Sequence, residues 1–162
     1  NGGFYKIFRF GCSDPAAVFG ARMFCGISNN TSAPTNVEPS TLLYSIGVGH
    51  GAADTNLMLY YSGAVKQTPI NLGANFPINT LSTDAYELAL FSPSNQFATI
   101  YYEVTRLNTG DVATGVLVGD GANIVLPSPY TLMSYSWNYR TNNTTAAAVS
   151  LDVMSDYIET DN

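Results

Sequence analysis

The chain has 162 residues, enough for one domain that buries roughly 70% of its unfolded surface. Six basic residues against twelve acidic ones leave a net charge of −6, with no Lys/Arg cluster, which excludes a nucleic-acid binder that tracks phosphates and a protein drawn to an anionic leaflet. Only 11% of residues are charged, under half the usual ~25%, so Ser, Thr, Asn and apolar groups must face water, and contiguous apolar surface marks an interface; the composition leans towards an oligomer.

The first predicted strand covers residues 4–10, with Phe4, Lys6, Phe8 and Phe10 on one face and Tyr5, Ile7 and Arg9 on the other. A strand apolar on both sides needs cover on both sides. Gly11 to Pro15 should break it, and Phe19, Ala21, Met23, Cys25 and Ile27 then alternate with Gly20, Arg22, Phe24 and Gly26 as a second strand. Residues 28–40 form a polar loop; its Asn29-Asn-Thr-Ser32 contains glycosylation sequons but reads as a turn. A helical turn over 39–43 and a strand through Tyr44, Ile46 and Val48 follow, ending at Gly49-His-Gly51.

Leu57, Leu59 and Tyr61 make one arm of a short hairpin whose return carries Val65 and Gln67. A brief strand over 70–72 precedes a loop anchored by Phe76. Tyr86, Leu88 and Leu90 form one face of the next strand. The clearest unit is a hairpin: Ile100, Tyr102, Val104 and Arg106 alternate with Tyr101, Glu103, Thr105 and Leu107, Asn108-Thr-Gly-Asp111 makes the turn, and Val112 to Val118 return. A small strand is expected at 124–126. Another over 130–140 should set Met133, Tyr135, Trp137 and Tyr139 on one face, and after a polar loop at 142–145 the last begins at Ala147 and runs towards Thr160.

Roughly ten short strands without a long helical pattern predict an all-β fold: an antiparallel sandwich of two sheets, most simply a jelly roll, as a single domain over residues 1–162. The longest apolar runs fall far short of the ~20 residues of a membrane-spanning helix, and no signal peptide pattern is visible. The opening Asn1-Gly-Gly3, without methionine, reads as part of a longer chain.

No catalytic constellation stands out. His50 is the single histidine and a conceivable general base, but no nucleophile lies near it; a structural or exposed turn histidine is the better reading. Glu87 and Glu103 fall on adjacent predicted strands and could pair as glycosidase carboxylates, although a solvent face explains them better. Asp120 and Asn123 are too few for a calcium site. Cys12 and Cys25 could form one bridge, but Cys25 sits in an apolar run and reads as a buried free thiol; with one histidine they make no metal site. Neither a metal nor another cofactor is expected. Tyr135, Trp137 and Tyr139 could stack on sugar rings, or form a core or a subunit interface.

Several stretches carry a resemblance: Arg22-Met-Phe-Cys-Gly-Ile27, Ala33-Pro-Thr-Asn36, Ile46-Gly-Val-Gly49, Asn56-Leu57, Ile70-Asn-Leu-Gly-Ala-Asn-Phe-Pro77, Tyr86-Glu-Leu-Ala-Leu-Phe-Ser-Pro93, Tyr101-Tyr-Glu-Val104, Ala146-Ala-Ala-Val-Ser-Leu-Asp152 and Tyr157-Ile-Glu-Thr160. Together, over roughly residues 17–160, they resemble the C-terminal tip module of phage tail needles and tail fibres, most nearly the knob of the tail needle of Shigella-infecting short-tailed phages. The resemblance implies a trimeric jelly roll of tumour-necrosis-factor type at the distal tip of the virion's tail. It would plug the tail channel as part of a needle and contact and penetrate the host cell envelope during genome ejection. Its partners would be two further copies of itself, the host envelope and other tail proteins reached through a preceding part of the chain. A fibre tip that recognises a host surface glycan is the alternative. The family brings no catalytic residues, so no enzyme is expected. The trimer type places the sheet holding the first and last strands towards the three-fold axis, which makes Phe4, Phe8, Ala146, Ala148 and Ser150 interface candidates.

Overall fold

The computed structural model describes residues 3–14, 16–78, 82–142 and 147–161. Over them, the period-two alternation of the sequence resolves into two five-stranded antiparallel sheets with jelly-roll-like packing. Sheet A runs in the order β10 (Leu151–Thr160), β1 (Phe4–Cys12), β6 (Ala85–Ser92), β7 (Thr99–Arg106), β8 (Asp111–Val118). Sheet B runs β5 (Ile70–Asn71), β4 (Met58–Ser62), β3 (Ser45–His50), β2 (Arg22–Ser28), β9 (Ser134–Thr141). As expected, the first and last strands are neighbours: Phe4 lies opposite Thr160 and Cys12 opposite Leu151.

The core fills the space between the sheets. Phe8 and Phe10 of β1, Leu88 and Leu90 of β6 and Val104 of β7 meet Met23, Cys25 and Ile27 of β2, Ile46 and Val48 of β3 and Leu59 of β4. Phe10 stacks between Phe8 and Tyr86, with ring centroids 5.7 Å apart on each side. The β7–β8 turn is the one predicted: Arg106 faces Asp111, the N–H of Gly110 donates to the Arg106 carbonyl at 2.8 Å, and Gly110 takes the φ of +80° that favours glycine. Lys6 shares the inward face of β1 with Phe8 and is fully buried; its ammonium pairs with Asp156 of β10 and lies 5.4 Å from the Phe8 ring. That ion pair ties the edge strand to its neighbour from inside.

Several predicted boundaries move, each for a local reason. β1 passes through Gly11 and ends at Cys12. β2 begins only at Arg22, because Gly20 turns the chain at φ +79° and leaves Phe19 88% exposed. A 3-10 turn over Pro39–Thr41 matches the expected helical turn. The return arm after β4 meets it through the bridge between Ser62 and Lys66, and the Ala64 and Val65 N–H groups donate instead to the Asn123 and Ile124 carbonyls. Residues 124–126 form no strand: the N–H groups of Ala122, Ile124 and Val125 all donate to Asp120 Oδ1, so they are spent on a turn. β9 starts at Ser134 and β10 at Leu151, later than the sequence pattern implied. Loop residues 143–145 lie outside the described residues.

The interface candidates are redistributed by this geometry. Phe8 is 0% exposed and faces the sandwich interior, where a second subunit does not reach. Phe4 is half-buried and lies at one end of the sandwich. Ala148 and Ser150 precede β10 and belong to no strand; Ala146 lies outside the described residues. Phe8→Ala should therefore lower the stability of the fold itself, by about 3–5 kcal/mol as for other buried Phe deletions. Denaturant titration followed by Trp137 fluorescence measures this, and Phe76→Ala, which empties the same core, should behave alike.

Candidate functional site

The two ends and the two outer faces of the sandwich differ in the residues they gather. At the end where β1, β3 and β9 finish, Asp14, Arg140 and His50 form a buried cluster. Both members of the Asp14–Arg140 ion pair have side chains only 1% exposed. Arg140 Nε donates to Asp14 Oδ2 at 3.1 Å, and its Nη1 donates to His50 Nε2 at 2.8 Å. Because guanidinium has no acceptor, Nε2 must be the bare nitrogen, and Nδ1–H donates to the Gly51 carbonyl at 3.1 Å. Asp14 Oδ1 also accepts the N–H of Ser150 at 2.8 Å. Burial, and then the Arg140 charge, push the His50 pKa down from 6.5 to about 4. His50 is thus a neutral, fully engaged structural group at the end of a strand rather than in an exposed turn.

The other chemical candidates also find structural partners. Glu87 pairs with Arg9 on the outer face of sheet A, and Glu103 Oε1 accepts from Thr105 Oγ1 on the same face. Asn123 Oδ1 accepts from the Ser128 N–H at 2.7 Å and from Thr131 Oγ1 at 3.1 Å, so Asp120 and Asn123 both shape turns. Cys12 and Cys25 are free thiols; burial raises the Cys12 pKa to about 11 and that of Cys25 well above its ordinary value, which keeps both protonated. Among the described residues, no group of three or more His, Cys, Asp or Glu side chains could hold a metal ion.

The aromatic face expected on β9 is divided. Trp137 opposes Gly26 while Ser134 opposes Ser28, so three steps on β9 match two on β2, and this bulge changes the phase of alternation. Trp137 and Tyr139 point to the outer side of sheet B, where Phe24 and Tyr60 join them. The 32–42 segment covers them: Trp137 Nε1 donates to the Ser32 carbonyl and the Tyr139 hydroxyl to the Val37 carbonyl, each at 2.9 Å. At 7% and 5% exposed they present no face to a sugar ring. Tyr135, 62% exposed, lies on the other side of the bulge, 5.9 Å from the Lys6 ammonium.

Among the described residues, no loop covers the outer face of sheet A in this way. Tyr5, Phe91 and Tyr101 form an exposed aromatic row across β1, β6 and β7, with ring centroids 6.4 and 6.2 Å apart. Val112, Val116 and Val118 extend it across β8, and Tyr157 flanks it on β10. The sequence pattern had marked β1 as apolar on both sides but did not identify this row as the uncovered one. At the end opposite the Asp14–Arg140 pair lies a cavity of about 320 Å³ between the β6–β7 connection, the 126–131 segment and the first residues of β1 and β9.

No protein-family model matches the chain, and no curated protein sequence matches it. Solved structures do: lectin UEA-II complexed with galactose superposes with a TM-score of 0.62 at 12% identity, over 99% of this chain and 73% of that one. Lectin II from Ulex europaeus gives a TM-score of 0.61, again at 12% identity, over 99% and 74%. At that identity the likeness defines the class of fold, an all-β sandwich, and nothing finer.

The His50 cluster makes a pH prediction. Its pKa is about 4 when folded and about 6.5 when unfolded, so the unfolded chain binds the extra proton first as pH falls. The contribution is complete above pH ~6.5 and is lost progressively down to about pH 4, by about 3 kcal/mol in all. Denaturant unfolding of the parent and of His50→Gln across that range measures it: the difference between the two should narrow as pH falls.

Proposed function

We propose that this chain is the trimeric tip of a phage tail appendage, the knob of a tail needle that plugs the tail channel and meets the host envelope during genome ejection. The resemblance of the stretches between Arg22 and Thr160 supports the family. The observation that carries the assembly is the open aromatic and aliphatic row on sheet A, from Tyr157 through Tyr5, Phe91 and Tyr101 to Val116. Sheet B buries its outer aromatics under the chain's own loop, whereas sheet A leaves a comparable set in water. A second and third copy of the chain would cover it, in the arrangement of tumour-necrosis-factor trimers, where the sheet with the first and last strands turns towards the axis. The reading includes no reaction and no cofactor; its partners are the other subunits, further tail proteins and the host envelope.

A second reading, a fibre tip that recognises a host surface glycan, draws support from the neighbours described as lectins, one of them complexed with galactose. It places no binding on Trp137 or Tyr139, which are covered.

Light scattering at micromolar concentration tests the first reading: the expected mass is three times 17.3 kDa. The double substitution Tyr5→Glu/Tyr101→Glu should shift the population to monomers while leaving the circular dichroism of the strands intact, because both side chains lie outside the core. A monomeric parent rejects the assembly. Binding to an array of host-envelope glycans favours the second reading.

A further inference from the structure

The cavity at the open end of the sandwich has a graded lining. Ile27, Ile46, Ile100 and Leu126 are buried and form its floor; Phe4 and Met133 add half-buried wall. Asn95, Gln96 and Thr160 are exposed and stand at its mouth. Among the described residues, no Asp, Glu, Lys, Arg or His side chain lines it; the ammonium of Lys6, 5.9 Å from the Tyr135 ring, is already paired with Asp156. A charged ligand group drawn inside would find no counter-charge, and burying an unpaired charge is prohibitive. The aliphatic floor offers water no hydrogen-bond partner, while the Ser, Thr, Asn and Gln side chains nearer the mouth can hold water or a hydroxyl-bearing group. The volume falls at the lower end of the range for small-molecule sites, about 300–1,000 Å³.

The walls are held in place without a ligand. The Gly119 N–H donates to the Ala98 carbonyl at 2.7 Å, joining the end of β8 to the β6–β7 connection. A Cβ at Gly119 would lie 2.9 Å from the Ala98 Cβ and 3.1 Å from the Leu126 Cβ, so the absence of a side chain lets the two walls close on one another. Asn123 fastens Ser128 and Thr131 through its Oδ1, and Pro93, Pro127 and Pro129 stiffen the rim. A preformed space gives up little ordering entropy on binding.

We propose that this cavity is a binding site for a neutral amphiphile: an aliphatic chain on the isoleucine floor, with an uncharged hydroxyl-bearing head among the amide and hydroxyl side chains of the mouth. The site opens at the end of the sandwich and not through the aromatic row on the outer face of sheet A. Occupancy by the head group alone, as in a pure sugar site, is disfavoured because the enclosed floor is apolar.

The test uses n-octyl-β-D-glucoside below its critical micelle concentration, with the hexyl and methyl glucosides as shorter tails. Isoleucine-methyl NMR of the intact chain reports the location. The expected result is saturable shifts of the Ile27, Ile46 and Ile100 methyls, with Ile70, on the short edge strand of sheet B, unchanged. Affinity should rise roughly tenfold from hexyl to octyl, as two buried methylenes imply. Met133→Trp, which fills the cavity, should weaken octyl glucoside at least tenfold. The NMR result stands even if that variant does not fold. Absence of shifts at the three floor methyls, shifts confined to sheet A's outer face, or equal affinity for the methyl glucoside would each overturn the proposal.

Discussion

The Asp14–Arg140 ion pair is the constraint on which the sandwich depends. Its members are 126 positions apart in sequence and almost fully buried, and they join the segment after β1 to the end of β9. Through His50 the same guanidinium reaches the end of β3, and through Asp14 the pair reaches Ser150 at the approach to β10. One charge pair thus gathers both sheets at one end. A buried pair need not be more stabilising than an apolar core of the same volume, but losing one partner strands the other, at a cost of about 3–5 kcal/mol. Arrangements of the chain that separate these four segments bear that cost, so the pair contributes to selecting one topology as well as to stability.

A second charged device works on the same principle at the sheet edge. Lys6 is placed by alternation on the inward face of β1 beside Phe8 and Phe10, where an ammonium alone would be untenable. Asp156 answers it from β10, although Phe8, not Lys6, is its register partner. The diagonal reach pins a ten-residue edge strand that is largely exposed after Leu151. At the β6–β7 side Arg106 and Asp84 make a bidentate contact at 2.8 and 2.9 Å, which closes the same end of the sandwich as the His50 cluster. Few charges are present, and several of them sit at closures between distant segments.

This explains what was legible in the sequence. Strands governed by alternation alone, β6, β7 and β8 with the Asn108–Asp111 turn, were readable because each signal is local. So were the pairing of the first and last strands and the free thiol at Cys25. The bulge in β9 was not: nothing between Ser134 and Trp137 announces an extra residue, and one misplaced step put Trp137 and Tyr139 on the same face as Tyr135. The placement of Phe8 at a subunit interface failed for a related reason, since a strand pattern says which residues share a face but not which face looks inward. His50 in a glycine-rich stretch suggested a turn; its partner Arg140 lies 90 positions away and leaves no local trace.

The molecule's polarity follows from these closures. Where charged residues knit the strand ends together, the interior is filled by Phe8, Phe10, Met23 and Tyr86 in close contact. At the opposite end, where β1 and β9 begin and β2 finishes, the sheets part around a cavity with an aliphatic floor and a polar mouth, and the Lys6–Asp156 pair lies beside it with its ammonium 5.9 Å from the Tyr135 ring. Atoms that line an empty space forgo dispersion contacts on one side, which is a standing cost to the fold. A stable sandwich can carry that cost because its other end is firmly closed. The same reasoning applies to the faces: sheet B shields its outer aromatics with its own loop and needs no partner there, while sheet A leaves an aromatic row open. Exposed apolar side chains are not confined to these places, since Phe19 and Leu107 stand in water at the charged end, but among the described residues only on sheet A do aromatic rings in mutual contact form an open row.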